Sequence, residues 1–398
     1  MITRVRFENF RSHGDSDFPL RPITLLIGSV ASGKSNIFKG LLFLQSTVNL
    51  PLAEIFGPGL NEFRWVRSRW ADETDPIGFE VDLNDLPGYP GVSATYRLRI
   101  ADSPHGLYVL EESLERREPD RLPTWAFQRD SRPRTMGAFG AVDPYEPTLL
   151  NRVHRKDPRI HADSLNVAFA LVVARALNNF GYYHLVVSAL KSNGTGQPWN
   201  RIGYYGDRLP DFLAWAKSSE ENVPYYERIR EDMKELLPEL ESIIVTQVQT
   251  QQQGLAMAFR GQRGYIAAPD LSDGTLLTLG LLSIVHGPGR PNLLCIEEPE
   301  AGLNPRRLRW LFDRFIGLAY RSPGIEATQV LFSTHSPWMV DFFRGELQDS
   351  VLLVEQTEGH SRVTPLVEIQ RDRLHQHPVP DPDEPIGHLW ASGVYEGL

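Results

Sequence analysis

At 398 residues the chain is long enough for one large α/β domain with insertions or for two domains, and 41% hydrophobic content with 8 Trp supplies a real core. No apolar run approaches the ~18 residues of a membrane span, and the opening "MITRVRFENF" lacks the apolar stretch of a secretory signal, so a cytoplasmic protein without a membrane partner is expected. The single Cys, inside the apolar run "NLLCI", excludes an internal disulfide framework; a net charge of −9 argues against a uniformly basic nucleic-acid coat but leaves room for a local basic groove.

Residues 1–46 read as strand, turn, strand, glycine loop and helix. The loop "LIGSVASGKSN" places Gly28, Gly33, Lys34 and Ser35 at the spacing G-x-x-x-x-G-K-[ST]. Glycines let backbone N–H groups curl around a phosphate, Lys34 can reach its outer oxygens, and the Ser35 hydroxyl can face Mg²⁺. The following helix, "GKSNIFKGLLFLQ", would turn its positive end toward the anion. The nucleotide-contacting stretch is therefore expected at Gly28, Ser29, Ala31, Ser32, Gly33, Lys34, Ser35 and Asn36.

From about 76 to 115, "IGFEVDL", "ATYRLRI" and "GLYVLEESLE" alternate as strands between Pro/Gly turns. Residues 116–150, rich in Arg, Pro and Gly, are expected to be an irregular connection. Helices are expected to dominate from about 161 to 240, followed by paired strands in "SIIVTQVQTQ" and "GLAMAFR". After Ser272, helices alternate with the apolar strands "NLLCIE", "TQVLFST" and "VLLVEQ", the pattern of a mostly parallel sheet. Four segments result: an N-terminal lobe at 1–115, an Arg-rich connection with a helical insertion at 116–260, a C-terminal lobe at 261–372 and a proline-rich tail at 373–398.

Three further stretches carry chemistry. In "NLLCIEEPEAGLNP" a buried strand ends in two carboxylates: Glu297 can hold the water shell of Mg²⁺, and Glu298 can orient or deprotonate an attacking water. A solvated acidic turn is the bland alternative, disfavoured by the glycine loop elsewhere in the chain. In "LFSTHSPWMVD" His335 stands at the end of a core strand, where it can donate to a phosphate oxygen. In "DLSDGT" Ser272 is a natural helix cap, and Gly274 lets N–H groups approach an anion.

In this order, those stretches resemble an ABC-type ATPase of the RecF/SMC class, close to the bacterial AAA-family ATPases of the OLD type. "FENFRSH" resembles the N-terminal strand and turn of such heads, "GSVASGKSN" their Walker A, "LSDGT" their signature, "CIEEPEAGLNP" their Walker B and D-loop, and "STHSP" their switch histidine. The resemblance implies an α/β P-loop NTPase of ABC-ATPase type with an N-terminal antiparallel β-subdomain and a helical insertion. It implies ATP and Mg²⁺ as cofactors, with Lys34 on the phosphates, Ser35 and Glu297 on the metal, Glu298 on water and His335 on the γ-phosphate. It also implies a homodimer sharing ATP sites, in which Ser272 and Gly274 of a second copy close over the nucleotide. The setting implied is DNA repair or anti-phage defence, with DNA as a possible ligand and an effector or nuclease subunit supplied in trans. The sequence departs from the family where Val30-Ala31 replace the usual Asn-Gly, where Glu297 replaces Asp, and where Asn304 replaces a frequent His. The family's Q-loop glutamine has no clear counterpart: Gln45 and Gln128 are the candidates considered.

Weaker signals remain. "RWVRSRW" interleaves Arg64, Arg67 and Arg69 with Trp65 and Trp70, either to stack on nucleic acid or as a solvated edge with tucked tryptophans. Arg116, Arg117, Arg121, Arg129, Arg132 and Arg134 could meet a phosphate backbone from a loop. His375 and His377 lack the further ligands of a metal site. Asp381 and Asp383 resemble the D-x-D of Toprim nucleases, but too few residues follow for that domain. A nucleotide-sensing scaffold with little turnover and a transporter nucleotide-binding subunit are the competing functions; LSDGT in place of LSGGQ stands against the latter.

Overall fold

The computed structural model describes residues 1–56, 61–249, 252–320, 327–374 and 385–392. The chain forms two compact units, one from Met1–Phe180, Phe343–Glu384 and Ser392–Leu398, the other from Gly181–Phe342 and Pro385–Ala391.

In the first unit β1 (Ile2–Phe10) and β2 (His13–Pro19) form a hairpin, followed by β3 (Ile23–Ile27) and α1 (Lys34–Asn49). The strands β4 (Ile77–Leu83), β5 (Ser93–Ser103), β6 (Gly106–Arg117) and β7 (Thr124–Asp130) complete a six-stranded antiparallel sheet in the order β2-β1-β4-β5-β6-β7. Strict alternation sorts its faces. Val5, Phe7, Phe79, Val81, Tyr96 and Leu98 are buried, while the residues between them carry a lattice of charges. Arg4 and Arg97 both pair with Glu80 (2.6 and 2.8 Å), and Arg99 pairs with Glu8 (2.9 Å). Helix α1 lies on the apolar face: a Cβ on Gly40 would stand 2.6 Å from the Phe7 ring, and Phe43 stacks on Phe79 with centroids 5.2 Å apart.

The Arg-rich stretch corrects the expectation of an irregular connection, since β6 runs to Arg117 and β7 extends the sheet to Asp130. Strand-facing arginines hid the alternation. Arg129 is fully buried and pairs at 2.9 Å with Glu112, itself fully buried. Arg116 lies over the rings of Tyr89 and Phe169, and Arg117 and Arg121 pair with Glu115 and Glu118. These four arginines are therefore held by the protein's own carboxylates and rings, not presented together from a loop. "RWVRSRW" divides similarly: Arg67 is buried against Asp102 and the Phe63 ring, and Trp70 packs on His360, whereas Trp65 is exposed. Helices α2 (Leu149–His154) and α3 (Leu165–Leu177) end this part, and Glu112 accepts from the Tyr96 hydroxyl (2.9 Å) and the Leu149 N–H (2.8 Å) at the start of α2.

The second unit opens with β8 (Phe180–Tyr183) and continues through α4 (Leu209–Ala216), α5 (Val223–Leu236) and the antiparallel pair β9 (Leu240–Gln249) and β10 (Gln252–Phe259). Helix α6 (Asp273–His286), β11 (Leu293–Glu297), α7 (Pro305–Ala319), β12 (Gln329–Ser333) and α8 (Pro337–Val340) follow. β11 and β12 are parallel, with Leu293 opposite Gln329 and Glu297 opposite Ser333, and β8 lies on the other side of β11. Every residue of β12 is buried, which explains the apolar Val330-Leu331-Phe332 at its centre.

The chain then returns to the first unit. β13 (Val351–Thr357) runs parallel to β3, with Leu352 opposite Leu26, and β14 (His360–Pro365) turns back against it. Helix α9 (Leu366–Leu374) follows, and α10 (Ile386–Ala391) belongs to the second unit. His375, His377, Asp381 and Asp383 lie outside the described residues. Among the described residues no helix is long and apolar enough to cross a membrane.

Arg129→Ala should cost about 3–5 kcal/mol, because it leaves the Glu112 carboxylate buried without its cation. A urea-denaturation midpoint unchanged from the parent would show that the pair carries no such weight.

Candidate nucleotide site

In the first unit the glycine loop joins β3 to α1. Gly28 has φ +148°, and a Cβ there would lie 2.1 Å from the Val354 carbonyl oxygen on β13. Gly33 has φ +110°, and a Cβ there would lie 2.0 Å from Ser361 Oγ. Both glycines are needed for conformation and for room. Ala31, where the family usually has Gly, sits at φ +65°, a left-handed geometry that costs a non-glycine residue roughly 1–2 kcal/mol. Lys34 is buried and its Nζ donates to the carbonyls of Gly28 and Ser29, both at 2.9 Å. Ser32 is buried, Ser35 and Asn36 are half-buried, and Ser29 is exposed. The first turn of α1 holds no acidic side chain, so the positive end of the helix is unopposed at the loop.

Two distant segments strap this loop. Ser361 Oγ lies 2.6 Å from the Ser32 carbonyl and 2.7 Å from Ser12 Oγ, and Asn36 Nδ2 donates to Ser12 Oγ at 2.8 Å. A carbonyl can only accept, so the single Ser361 proton goes to Ser32, and Ser12 donates to Ser361 while accepting from Asn36. His13 is fully buried between Ser16 Oγ (2.8 Å) and the Gly33 carbonyl (3.3 Å), and burial pulls its pKa down to about 4, so it is neutral at pH 7. Beside them Arg11 keeps its Nε buried without a hydrogen-bond partner, and burial lowers its pKa. The straps were missed from sequence. "FENFRSH" marked Ser12 and His13 only by resemblance, and nothing marked Ser361.

In the second unit β11 ends on Glu297, whose two oxygens are both engaged. Tyr182 donates its hydroxyl to Oε1 (2.7 Å), His184 Nδ1 meets Oε2 (3.0 Å), and Tyr204 donates to the Tyr182 hydroxyl (3.0 Å). Burial, with the Tyr204 hydroxyl and the Glu297 carboxylate, pushes the Tyr182 phenol far above its usual pKa. Glu298 has φ +46°, a strained backbone fixed by its N–H donating to the Ser333 carbonyl at 3.0 Å. Its Oε1 is 3.6 Å from Nε2 of His335. Glu300 was not singled out in the sequence. It accepts from the Thr334 hydroxyl (2.6 Å) and the His335 N–H (3.0 Å), holding the turn after β12, and burial raises its pKa. The unit thus brings Glu297, Glu298 and His335 to the adjacent ends of two parallel strands.

Ser272 caps α6, accepting from the Thr275 N–H at 3.3 Å. A Cβ on Gly274 would stand 3.0 Å from the Gly302 carbonyl and 3.2 Å from Arg307 Nη1, so the start of α6 packs against the turn that Asn304 caps at the head of α7. Of the glutamines considered, Gln45 donates to the Asn178 carbonyl (3.0 Å) and Gln128 lies on the exposed face of β7. Tyr182 and His184 are the side chains that meet Glu297.

The oxygen donors at Ser35 and Glu297 are of the kind that Mg²⁺ takes. Among the described residues no group of three or more His, Cys, Asp or Glu is placed to hold a metal ion.

Among solved structures, the chain is similar to an SMC head bound to the C-terminal winged-helix domain of ScpA, with 14% identity, TM-score 0.51, and coverage of 91% of this chain and 97% of that one. Other matches are the SMC head domain from Thermotoga maritima (11% identity, TM-score 0.41, coverage 92% and 98%) and an SMC head with extended coiled coil bound to the C-terminal domain of ScpA from Pyrococcus furiosus (11%, 0.44, 94% and 98%). A comparison with curated proteins found no match. The fold is the mixed α/β P-loop NTPase fold of such heads. Residues 23–341 match the family described as "AAA domain, putative AbiEii toxin, Type IV TA system", and the chain belongs to that family.

Ser361→Ala removes the proton that satisfies the Ser32 carbonyl and should weaken nucleotide binding by about 1–2 kcal/mol, roughly five- to thirtyfold. Calorimetric titration with ADP checks this; equal affinity would mean that the loop holds its shape without the strap.

Proposed function

We propose that this protein binds and hydrolyses ATP and uses the nucleotide as a clamp between two copies of itself. The observation that carries the reading is the strapped glycine loop at the N-terminus of α1, whose first turn holds no acidic side chain, a setting suited to phosphate. Gly28, Ser29, Ala31, Ser32, Gly33 and Asn36 shape and line the phosphate cradle, and Lys34 holds the β- and γ-phosphates. Ser35 and Glu297 would hold Mg²⁺, which would offset the negative charge of the phosphates. Glu298 takes a proton from the attacking water as that oxygen bonds to the γ-phosphorus; the bond to the ADP oxygen breaks, leaving ADP and phosphate. His335, whose Nε2 lies 3.6 Å from Glu298, donates to the γ-phosphate.

In this proposal Ser272 and Gly274 of a second copy complete the site, so ATP joins two heads and hydrolysis releases them. The output passes to a partner effector, a nuclease in trans, in DNA repair or anti-phage defence. The SMC head bound to ScpA is an example of such a head carrying a partner protein.

Lys34→Ala should abolish ATP binding, since the loop loses its point charge on the outer phosphates. Glu298→Gln should keep binding, lose turnover and accumulate an ATP-dependent dimer, because an amide cannot take the proton from water. Light scattering with and without ATP and Mg²⁺ reads the second outcome; parental turnover in Glu298→Gln would remove Glu298 from the catalytic role.

The crowded surroundings of Gly274 make Ser272 the better probe of the shared site. Ser272→Asp keeps a good helix cap but sets a carboxylate where the partner's phosphate would arrive. It should bind ATP as a monomer with parental affinity yet fail to dimerise. Loss of monomer binding would place the signature in its own chain's pocket and end the shared-site mechanism.

A further inference from the structure

The longer carboxylate at position 297 raises a physical problem that its neighbours answer. Glu has one more rotatable bond than the Asp usual in this family, so an unheld Glu297 would spread its oxygens over several rotamers at the end of β11. Here each oxygen has its own donor: the Tyr182 hydroxyl on Oε1 (2.7 Å) and His184 Nδ1 on Oε2 (3.0 Å). Both donors are fixed by other contacts. Tyr182 lies on β8, the strand beside β11, and receives the Tyr204 hydroxyl at 3.0 Å with the two rings 4.6 Å apart. The backbone N–H of His184 donates to the Tyr204 carbonyl at 3.0 Å, and the Val186 N–H to that of Tyr205 at 2.9 Å. A carboxylate oxygen has two lone-pair directions, so one hydrogen bond on each leaves the other for a cation.

We propose that Tyr182 and His184, backed by Tyr204, are positioning residues that pin the Glu297 carboxylate in a single orientation for a divalent cation. The inference rests on the reading of Glu297 as a metal carboxylate. It assigns the stretch "YYH" to the nucleotide chemistry.

The test uses the full chain with bound ADP, and Mn²⁺ as the probe, its free signal followed by electron paramagnetic resonance. Tyr182→Phe and His184→Ala should each weaken Mn²⁺ binding by about tenfold or more, as loss of a hydrogen bond behind a metal ligand does. His184→Asn, whose amide N–H can replace Nδ1–H, should recover most of the loss. ADP affinity in EDTA should stay at the parental value, which a general folding defect would not allow. In a Glu297→Asp background the shorter carboxylate withdraws from Tyr182, so adding Tyr182→Phe should change little further. Mn²⁺ affinity within about twofold of the parent in both Tyr182→Phe and His184→Ala, where Glu297→Ala does weaken it, would overturn the positioning role alone. Parental Mn²⁺ affinity in Glu297→Ala would overturn the metal role of Glu297 and the inference with it.

Discussion

A phosphate cradle has to hold several backbone N–H groups pointing inward at once, a conformation with few internal hydrogen bonds and little tolerance for side chains. In this protein the requirement is met by clamping the loop from outside. The Val354 carbonyl and the Ser361 hydroxyl stand where side chains at positions 28 and 33 would be, so glycine is needed there on two grounds. The proton chain from Asn36 through Ser12 and Ser361 to the Ser32 carbonyl then fixes what the missing side chains leave loose. Neutral His13, buried under the Gly33 carbonyl, adds support without placing a positive charge under the loop.

Two of the nine described non-glycine residues with positive φ stand at candidate site positions. Ala31 in the glycine loop and Glu298 after β11 both have left-handed geometry without being glycine. Neither is explained by local propensity: Ala31 directly precedes the strapped Ser32, and Glu298 is held by the hydrogen bond from its N–H to the Ser333 carbonyl. Strain that persists in this way is over-determined by the fold, and it marks segments whose geometry serves something other than stability.

Much of this was legible in the sequence, for identifiable reasons. The glycine loop, the buried strands β11 and β12 and the cap at Ser272 each rest on a local signal: fixed spacing, an unbroken apolar run, a capping residue before a Leu-rich helix. The paired strands β9 and β10 were also expected. What stayed hidden depends on contacts between segments far apart in the chain. Arginine at strand positions made β7 look like part of a loop, because the buried Glu112 that neutralises Arg129 belongs to another strand. Tyr182 and His184 fell in a stretch expected to be mainly helical, and only the pairing of β8 beside β11 brings them to Glu297. Ser361 carries no motif at all.

That last residue exposes a constraint on how the loop can form. Ser361 joins Ser12, Ser16 and Ser32 within one compact unit, though it stands about as far from them along the chain as 398 residues allow. The strands β3 and β13 pair with Gly181–Phe342 of the second unit intervening in sequence. Closing so long a loop costs entropy that only the completed sheet can offset, so contacts of this separation form late. The glycine loop is encoded in the first tenth of the chain, yet its straps are supplied near the end. A cradle competent for phosphate is therefore a property of the closed first unit and not of the motif, which is why the residues that shape it cannot be found by reading the motif alone.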